Sequence, residues 1–162
     1  MTMELLLPQA AKVGALLKER KETIAIAESS TGGLLAASLL AVPGASAYFK
    51  GGAVLYTRKA LLQLMNVDEA RLKDQVPSSE AYTLLKAQLV RDHLEATWGL
   101  SESGVAGPTG NKYGYAPGHS CIAVSGPTEL TKTIETGERD RVQNMYAFAA
   151  AALELLSEAL RK

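Results

Sequence analysis

Apolar positions return at two intervals along the chain, and the alternation between them sketches the fold. Over residues 8–20, Ala11, Val13, Leu16 and Leu17 oppose Lys12, Lys18, Glu19 and Arg20, the pattern of an amphipathic helix. Residues 23–27 form a continuous apolar run that predicts a short buried strand, and Leu34, Leu35, Ser38 and Leu39 then recur at helical spacing. The same reading predicts a strand over 52–56 and a short helix over 58–65, followed by a polar, irregular stretch over 66–76. Pro77-Ser-Ser-Glu80 caps a longer helix reaching about residue 96, and a strand follows over 98–105. Residues 107–118 are too rich in glycine and proline to be anything but a loop. Strands over 119–125 and 130–136, joined at Gly126-Pro-Thr128, form an antiparallel pair, and a final helix covers about 138–160. Strands alternating with helices early and a hairpin late predict an α/β domain, a mixed sheet covered by helices on both faces. Residues 1–162 read as one domain, without an internal repeat, linker or low-complexity tract.

Composition narrows the partners. With 162 residues and 47% hydrophobic content the chain can bury a sizeable core. Lys plus Arg equals Asp plus Glu at 17 each, so the overall charge gives no field for nucleic acid or an anionic membrane, and neither is expected as a partner. Cys121 is the single cysteine and no Cys/His cluster has metal-ligand spacing, so neither a metal nor a cofactor is expected. Leu5-Leu-Leu7 stands between Glu4 and Pro8 without a basic flank, unlike a secretory signal. Residues 29–49 carry no charge, but their glycines, serines and Pro43 leave only 34–42 as nearly continuous apolar sequence, too short to cross hydrocarbon. The cytoplasm is the expected compartment.

Candidate chemistry gathers where strands end, at residues 29–33, 56–61 and 107–118. Ser29-Ser-Thr-Gly-Gly33 lies between a strand and a helix, where hydroxyls and free backbone N–H groups suit an anion, a phosphate or a developing oxyanion; a plain helix cap is the alternative. Each of Gly32 and Gly33 costs a helix about 1 kcal/mol relative to alanine, so their presence implies close access to the backbone or tight packing. No P-loop, dinucleotide fingerprint or Gly-x-Ser-x-Gly elbow occurs, and with only His93, on a helix surface, and His119, at a strand start, a Ser-His-Asp triad has little to draw on. Arg58 offers planar donors to a phosphate or carboxylate. Tyr113 and Tyr115 either stack on an aromatic ligand or cover the core edge.

These segments together carry a family resemblance. Ala27-Glu-Ser-Ser-Thr-Gly-Gly33 is similar to the Ala-Glu-Ser-Cys-Thr-Gly-Gly signature of the CinA C-terminal domain family, the nicotinamide-nucleotide amidases. Gly44-Ala-Ser-Ala-Tyr-Phe49, Gly52-Ala-Val-Leu-Tyr-Thr57, Gly104-Val-Ala-Gly-Pro-Thr-Gly110, Pro117-Gly118 and Gly137-Glu-Arg-Asp-Arg141 resemble further family blocks in the same order. The resemblance implies a three-layer α/β/α domain, here without the N-terminal domain that some members carry. It also implies hydrolysis of the carboxamide of nicotinamide mononucleotide to nicotinate mononucleotide and ammonia, without a metal or cofactor.

By that resemblance Ser29 is the nucleophile, N–H groups around Ser30 to Gly32 hold the oxyanion, and Thr31, Gly32, Gly33, Gly107, Gly110 and Arg139 contact substrate; Ser30, Thr109 and Arg58, further expected substrate contacts, depart from the family pattern, which has Cys, an acidic or glycine residue, and Asn at those positions. The family pattern places a base lysine five positions after the strand-end tyrosine, Tyr56, and here that position is Leu61. Lys59 is the obvious substitute, with Tyr56 beside it, although two helical residues mean a rotation of about 200° away from position 61. Lys50, Lys112, His119 and Glu28 lie in or near the candidate loops but not at that position. Three readings follow: an amidase using Ser29 and a replaced base, a protein binding a nucleotide or small anion without turnover, and an interaction homologue. In the last, Ala147, Ala149, Ala150, Ala151 and Leu153 of the final helix would pack against another helix in a homo-oligomer.

Overall fold

The computed structural model describes residues 2–162. Five helices, α1 (Leu7–Arg20), α2 (Leu34–Leu40), α3 (Arg58–Leu64), α4 (Glu80–His93) and α5 (Arg141–Ala159), surround five strands, β1 (Ile24–Glu28), β2 (Phe49–Val54), β3 (Trp98–Gly104), β4 (His119–Ser125) and β5 (Leu130–Glu135). The strands form one sheet in the order β2-β1-β3-β4-β5. β1 runs parallel to β2 and β3, while β3–β4 and β4–β5 are antiparallel. This is the mixed sheet that the sequence pattern predicts.

Alternation along each strand sorts the side chains into two cores. Ile24, Ile26, Trp98, Leu100, Ile122 and Val124 face α1, α2 and α5. Ala25 and Ala27 face the other way, against Leu61 and Met65 of the α3 region and Tyr82, Leu89 and Val90 of α4. The alanines of α5 are spent internally: Ala149, Ala152 and Leu153 are buried in the first core, with Ala150 and Ala151 packed against it, and α5 lies on α1. Of the residues expected to pack against another helix, Ala149, Ala150, Ala151 and Leu153 do so within the domain. No helix among the described residues is long and apolar enough to cross a membrane.

Several boundaries shift by one to three residues, and two of the shifts have identifiable reasons. β2 begins at Phe49 rather than residue 52 because Phe49 already pairs with Ile24 of β1. Its glycines serve the pairing: a Cβ on Gly52 would stand 2.8 Å from the Ile26 carbonyl oxygen. α5 starts at Arg141 rather than near 138, because the Asp140 side chain caps it by accepting the Gln143 N–H at 2.9 Å.

The topology brings the C-terminal ends of β1, β2 and β3 and the N-terminal end of β4 to one edge of the sheet. The loops at that edge are those singled out by sequence. On one face of central β3, α4 lies close against the strand: a Cβ at Gly99 would stand 2.0 Å from the Ala87 carbonyl oxygen. Gly99→Ala is accordingly expected to cost on the order of 3 kcal/mol through overpacking, read as a lower urea midpoint with an unchanged slope.

Candidate active site

β1 ends in Glu28, and parallel pairing of Ala27 with Ser101 sets Glu28 beside Glu102 of β3 on the same face of the sheet. Both carboxylates are buried, at 1% and 0% exposure, and both are consumed by the turn that follows β1. Glu28 accepts from the N–H groups of Gly33, Leu35 and Ala36 at 3.1, 2.9 and 3.1 Å and from the Thr31 hydroxyl at 2.8 Å. Glu102 accepts from the N–H groups of Ser29 at 3.1 Å and Thr31 at 3.0 Å, and from the hydroxyls of Thr31, Ser30 and Ser120. Burial raises the pKa of Glu28, the N–H bonds from Leu35 and Ala36 act against that rise, and the Glu102 charge adds to it.

The anion-attracting turn read from the sequence is thus present, and the anions it holds are side chains of the chain itself. This corrects the expectation that N–H groups from Ser30 to Gly32 stand ready for an oxyanion. The Thr31 N–H belongs to Glu102 and the Gly32 N–H to the Ser29 carbonyl at 3.2 Å. Ser30 N–H alone of the three has no partner among the described residues. Gly32 and Gly33 have φ of 63° and 103°, so the glycines are needed for the left-handed backbone of the turn. They line neither cavity described below.

Ser29 points the other way. Half-buried, it opens into a cavity of about 460 Å³ together with Tyr56, Arg58, Tyr82, Ser103, Lys112 and Tyr113. Its Oγ makes no hydrogen bond to another described residue, whereas the neighbouring Ser30 hydroxyl is held by Glu102. A second, polar cavity of about 220 Å³ shares Tyr56 and Gly104 with the first and is lined by Ser30, Gly107, Thr109, Gly110 and Arg141. The Arg141 guanidinium donates to the Gly107 carbonyl at 2.7 Å and to the Tyr56 hydroxyl at 3.2 Å, tying the glycine loop to the end of β2. Arg58 donates to the Leu72 carbonyl at 3.2 Å and keeps its exposed side against Glu69.

Other expected site residues lie elsewhere. Thr31 is fully buried beneath the turn. Lys59 is exposed on α3 and lines neither cavity, because the helix capped by Thr57 turns it away from the layer into which Leu61 points. Leu61 itself is 0% exposed and packs in the second core, so it offers neither charge nor proton acceptor. Arg139 is exposed and also lines neither cavity; its carbonyl packs on Gly107, and Arg141, two residues on, supplies the cation at the loop. Tyr113 lines the larger cavity while Tyr115 stacks on His119, with ring centroids 4.0 Å apart. Buried His119 is engaged at both nitrogens, by Glu135 and by the Ser78 carbonyl at 2.8 Å, and serves the fold. His93 is the exposed last residue of α4.

Glu102 and Lys86 escaped the sequence reading, as did Tyr82 and Ser103 of the cavity wall. Lys86 of α4 is fully buried, with Nζ 3.0 Å from the Glu102 main-chain oxygen and 5.7 Å from the centroid of the Tyr82 ring. Burial pushes its pKa down to about 8, against the opposing pull of the Glu102 and Glu28 charges. A signal existed: Lys86 falls four residues after Tyr82 and three and four before Leu89 and Val90, on the apolar stripe of its helix, and Glu102 is the sole charge in β3. No group of three or more His, Cys, Asp or Glu among the described residues is placed to hold a metal ion.

A three-layer α/β/α fold with a serine turn at the end of β1 and a glycine loop after β3 defines the class of domain, and comparison with known proteins gives its family. The model of the CinA C-terminal domain matches residues 7–160, and the chain belongs to that family. A CinA-like protein of Desulforapulum autotrophicum is 41% identical over 90% of this chain and 34% of its own length, and one of Gloeobacter violaceus is 39% identical over 91% and 35%. The chain thus spans about a third of the length of the curated relatives it matches. Among solved structures, a competence damage-inducible protein of Klebsiella pneumoniae superposes with a TM-score of 0.89 at 27% identity, covering 96% of this chain and 97% of that one. A competence/damage-inducible protein of Agrobacterium tumefaciens gives 0.87 at 26%, covering 97% and 96%.

The lowered pKa of Lys86 has a signed consequence for stability. Between its folded value of about 8 and the ordinary 10.5 the unfolded chain holds the extra proton, so the stability of the fold rises with pH across that window. Relative to Lys86→Met, the native protein should gain up to about 3 kcal/mol between pH 7 and pH 10.5, measured by urea unfolding at each pH.

Proposed function

We propose that this domain binds a mononucleotide-type carboxamide in the cavity beside Ser29 and hydrolyses it to the acid and ammonia, with nicotinamide mononucleotide as the reference substrate. The observation that carries the reading is the Ser29 hydroxyl, set at a strand end, open to the cavity and, like the neighbouring Ser30 N–H, without a hydrogen-bond partner among the described residues. In this reading Ser29 Oγ attacks the amide carbon, the Ser30 N–H donates to the developing oxyanion, and water later cleaves the acyl-serine. Tyr82 and Tyr113 supply aromatic walls for a ring, and Arg58 and Lys112 supply cations for a phosphate. Tyr56, held by Arg141, closes the wall between the two cavities.

A second reading, binding without turnover, draws on a separate observation. Leu61 puts a buried aliphatic side chain where the family resemblance implies a lysine, and Glu102 takes N–H donors of the turn that an oxyanion would use. Ammonia release from nicotinamide mononucleotide separates the two. Hydrolysis predicts release that falls about 1,000-fold or more in Ser29→Ala, while the ligand still raises the melting temperature of that variant. A native protein whose melting temperature rises with the ligand but which releases no ammonia supports the second reading.

A further inference from the structure

Lys86 is a buried cation with more donors than the fold supplies acceptors. Its ammonium carries three N–H groups, and the Glu102 carbonyl is its one hydrogen-bond acceptor among the described residues. It belongs to the α4 layer, on the same side of the sheet as the cavity: Tyr82, whose ring lies under Nζ, lines that cavity, and so does Ser103, the residue after the carbonyl that Lys86 grips. The β1–β3 register carries this across to Ser29. Ala27 pairs with Ser101, the last pair of the β1–β3 register, and Ser29 and Ser103, each two residues further on, both line the cavity.

We propose that Lys86 is the proton acceptor for Ser29, with the Ser103 hydroxyl as the link once substrate closes its contacts to Ser29 Oγ and Lys86 Nζ, neither of which is hydrogen-bonded to it in this structure; the inference rests on the Ser29 reading above. The Ser29 Oγ–H bond breaks as Oγ bonds to the amide carbon, and the carbonyl π pair moves onto oxygen. The Ser29 proton passes to Ser103 Oγ as the Ser103 proton passes to neutral Lys86 Nζ. Collapse of the adduct expels the amine nitrogen, which takes a proton back by the same route and leaves as ammonia. Water then attacks the acyl-serine, its proton going to Lys86 and returning to Ser29, so one amide and one water give one acid and one ammonia.

The charged surroundings set the pH at which this lysine is neutral. From the sheet side come Glu102 and Glu28, whose carboxylates favour the ammonium, and from its own helix comes Tyr82. β4, packed against α4, contributes His119 and Cys121, both turned to the Ser78 carbonyl, and β5 contributes Thr131 and Thr133, both donating to Glu80. Desolvation dominates this set and brings the amine to about 8, within reach of neutral solution.

Phosphonylation of Ser29 by a fluorophosphonate probe, followed from pH 6 to 10 in the native protein, Lys86→Met, Lys86→Arg and Ser103→Ala, tests the assignment. The native rate is expected to rise about tenfold per pH unit and level off near pH 8. Lys86→Met and Lys86→Arg should be at least about tenfold slower at pH 8 and lose the inflection, and Ser103→Ala should lose it while Lys86 stays in place. A native-like profile in a folded Lys86→Met protein overturns the proposal and leaves the Ser29 reading standing. A native protein unlabelled at Ser29 at every pH overturns both. The Lys86 Cε resonance of the native protein, titrated by NMR, gives a measurement independent of the variants: an inflection near the kinetic one is expected, and titration only above pH 10 contradicts the proposal.

Discussion

The turn after β1 is held by two buried carboxylates, and the rest of the site depends on that arrangement. Glu28 and Glu102 stand side by side because β1 and β3 are parallel neighbours, and they accept the N–H groups of Ser29, Thr31, Gly33, Leu35 and Ala36. Carboxylates buried without donors would be severely penalised. Here the exposed donors of a helix start and the buried acceptors of two strand ends satisfy one another. A seven-residue helix such as α2 has little stability of its own, so its first turn is fixed largely by these contacts and by the packing of Leu35 and Leu39.

One consequence is a division of labour between the faces of the sheet. On the α2 face the turn is saturated by internal anions. On the α4 face Ser29, Ser103 and Tyr82 open to a cavity, and Lys86 lies buried below them. The ammonium offsets part of the negative charge of Glu28 and Glu102, and its burial beside that pair links what fixes the turn to what titrates under the cavity. Arg141 extends the same logic outward, tying the glycine loop to Tyr56 through contacts on the two.

Much of this was legible in the sequence. Periodicity placed β4 at its observed bounds, and α1 and α3 within a residue, because their apolar spacing and caps agree. The serine–glycine turn and the glycine loop were visible as motifs, and Leu61 was visible at the position where the family resemblance implies a lysine. The occupants of the turn were not visible, because the sequence separates Glu102 from Ser29 by 73 positions and strand order alone brings them together. Arg139 and Lys59 line neither cavity for a related reason: motif position fixes a residue along the chain, whereas the angle about a helix or the entry into one decides which cation faces the cavity. Glu28, read as part of a signature and as a residue near the candidate loops, is a capping acceptor for α2.

The measurement that tests this account most directly is amide hydrogen exchange, resolved residue by residue, across the turn at neutral pH. If Glu102 and Glu28 hold it as described, the Ser29, Thr31, Leu35 and Ala36 amides exchange on the order of 100-fold more slowly than the Ser30 amide, which stays open to solvent or ligand. Ser29 and Thr31 exchanging as fast as Ser30 would mean that Glu102 does not occupy the turn, and would contradict the account.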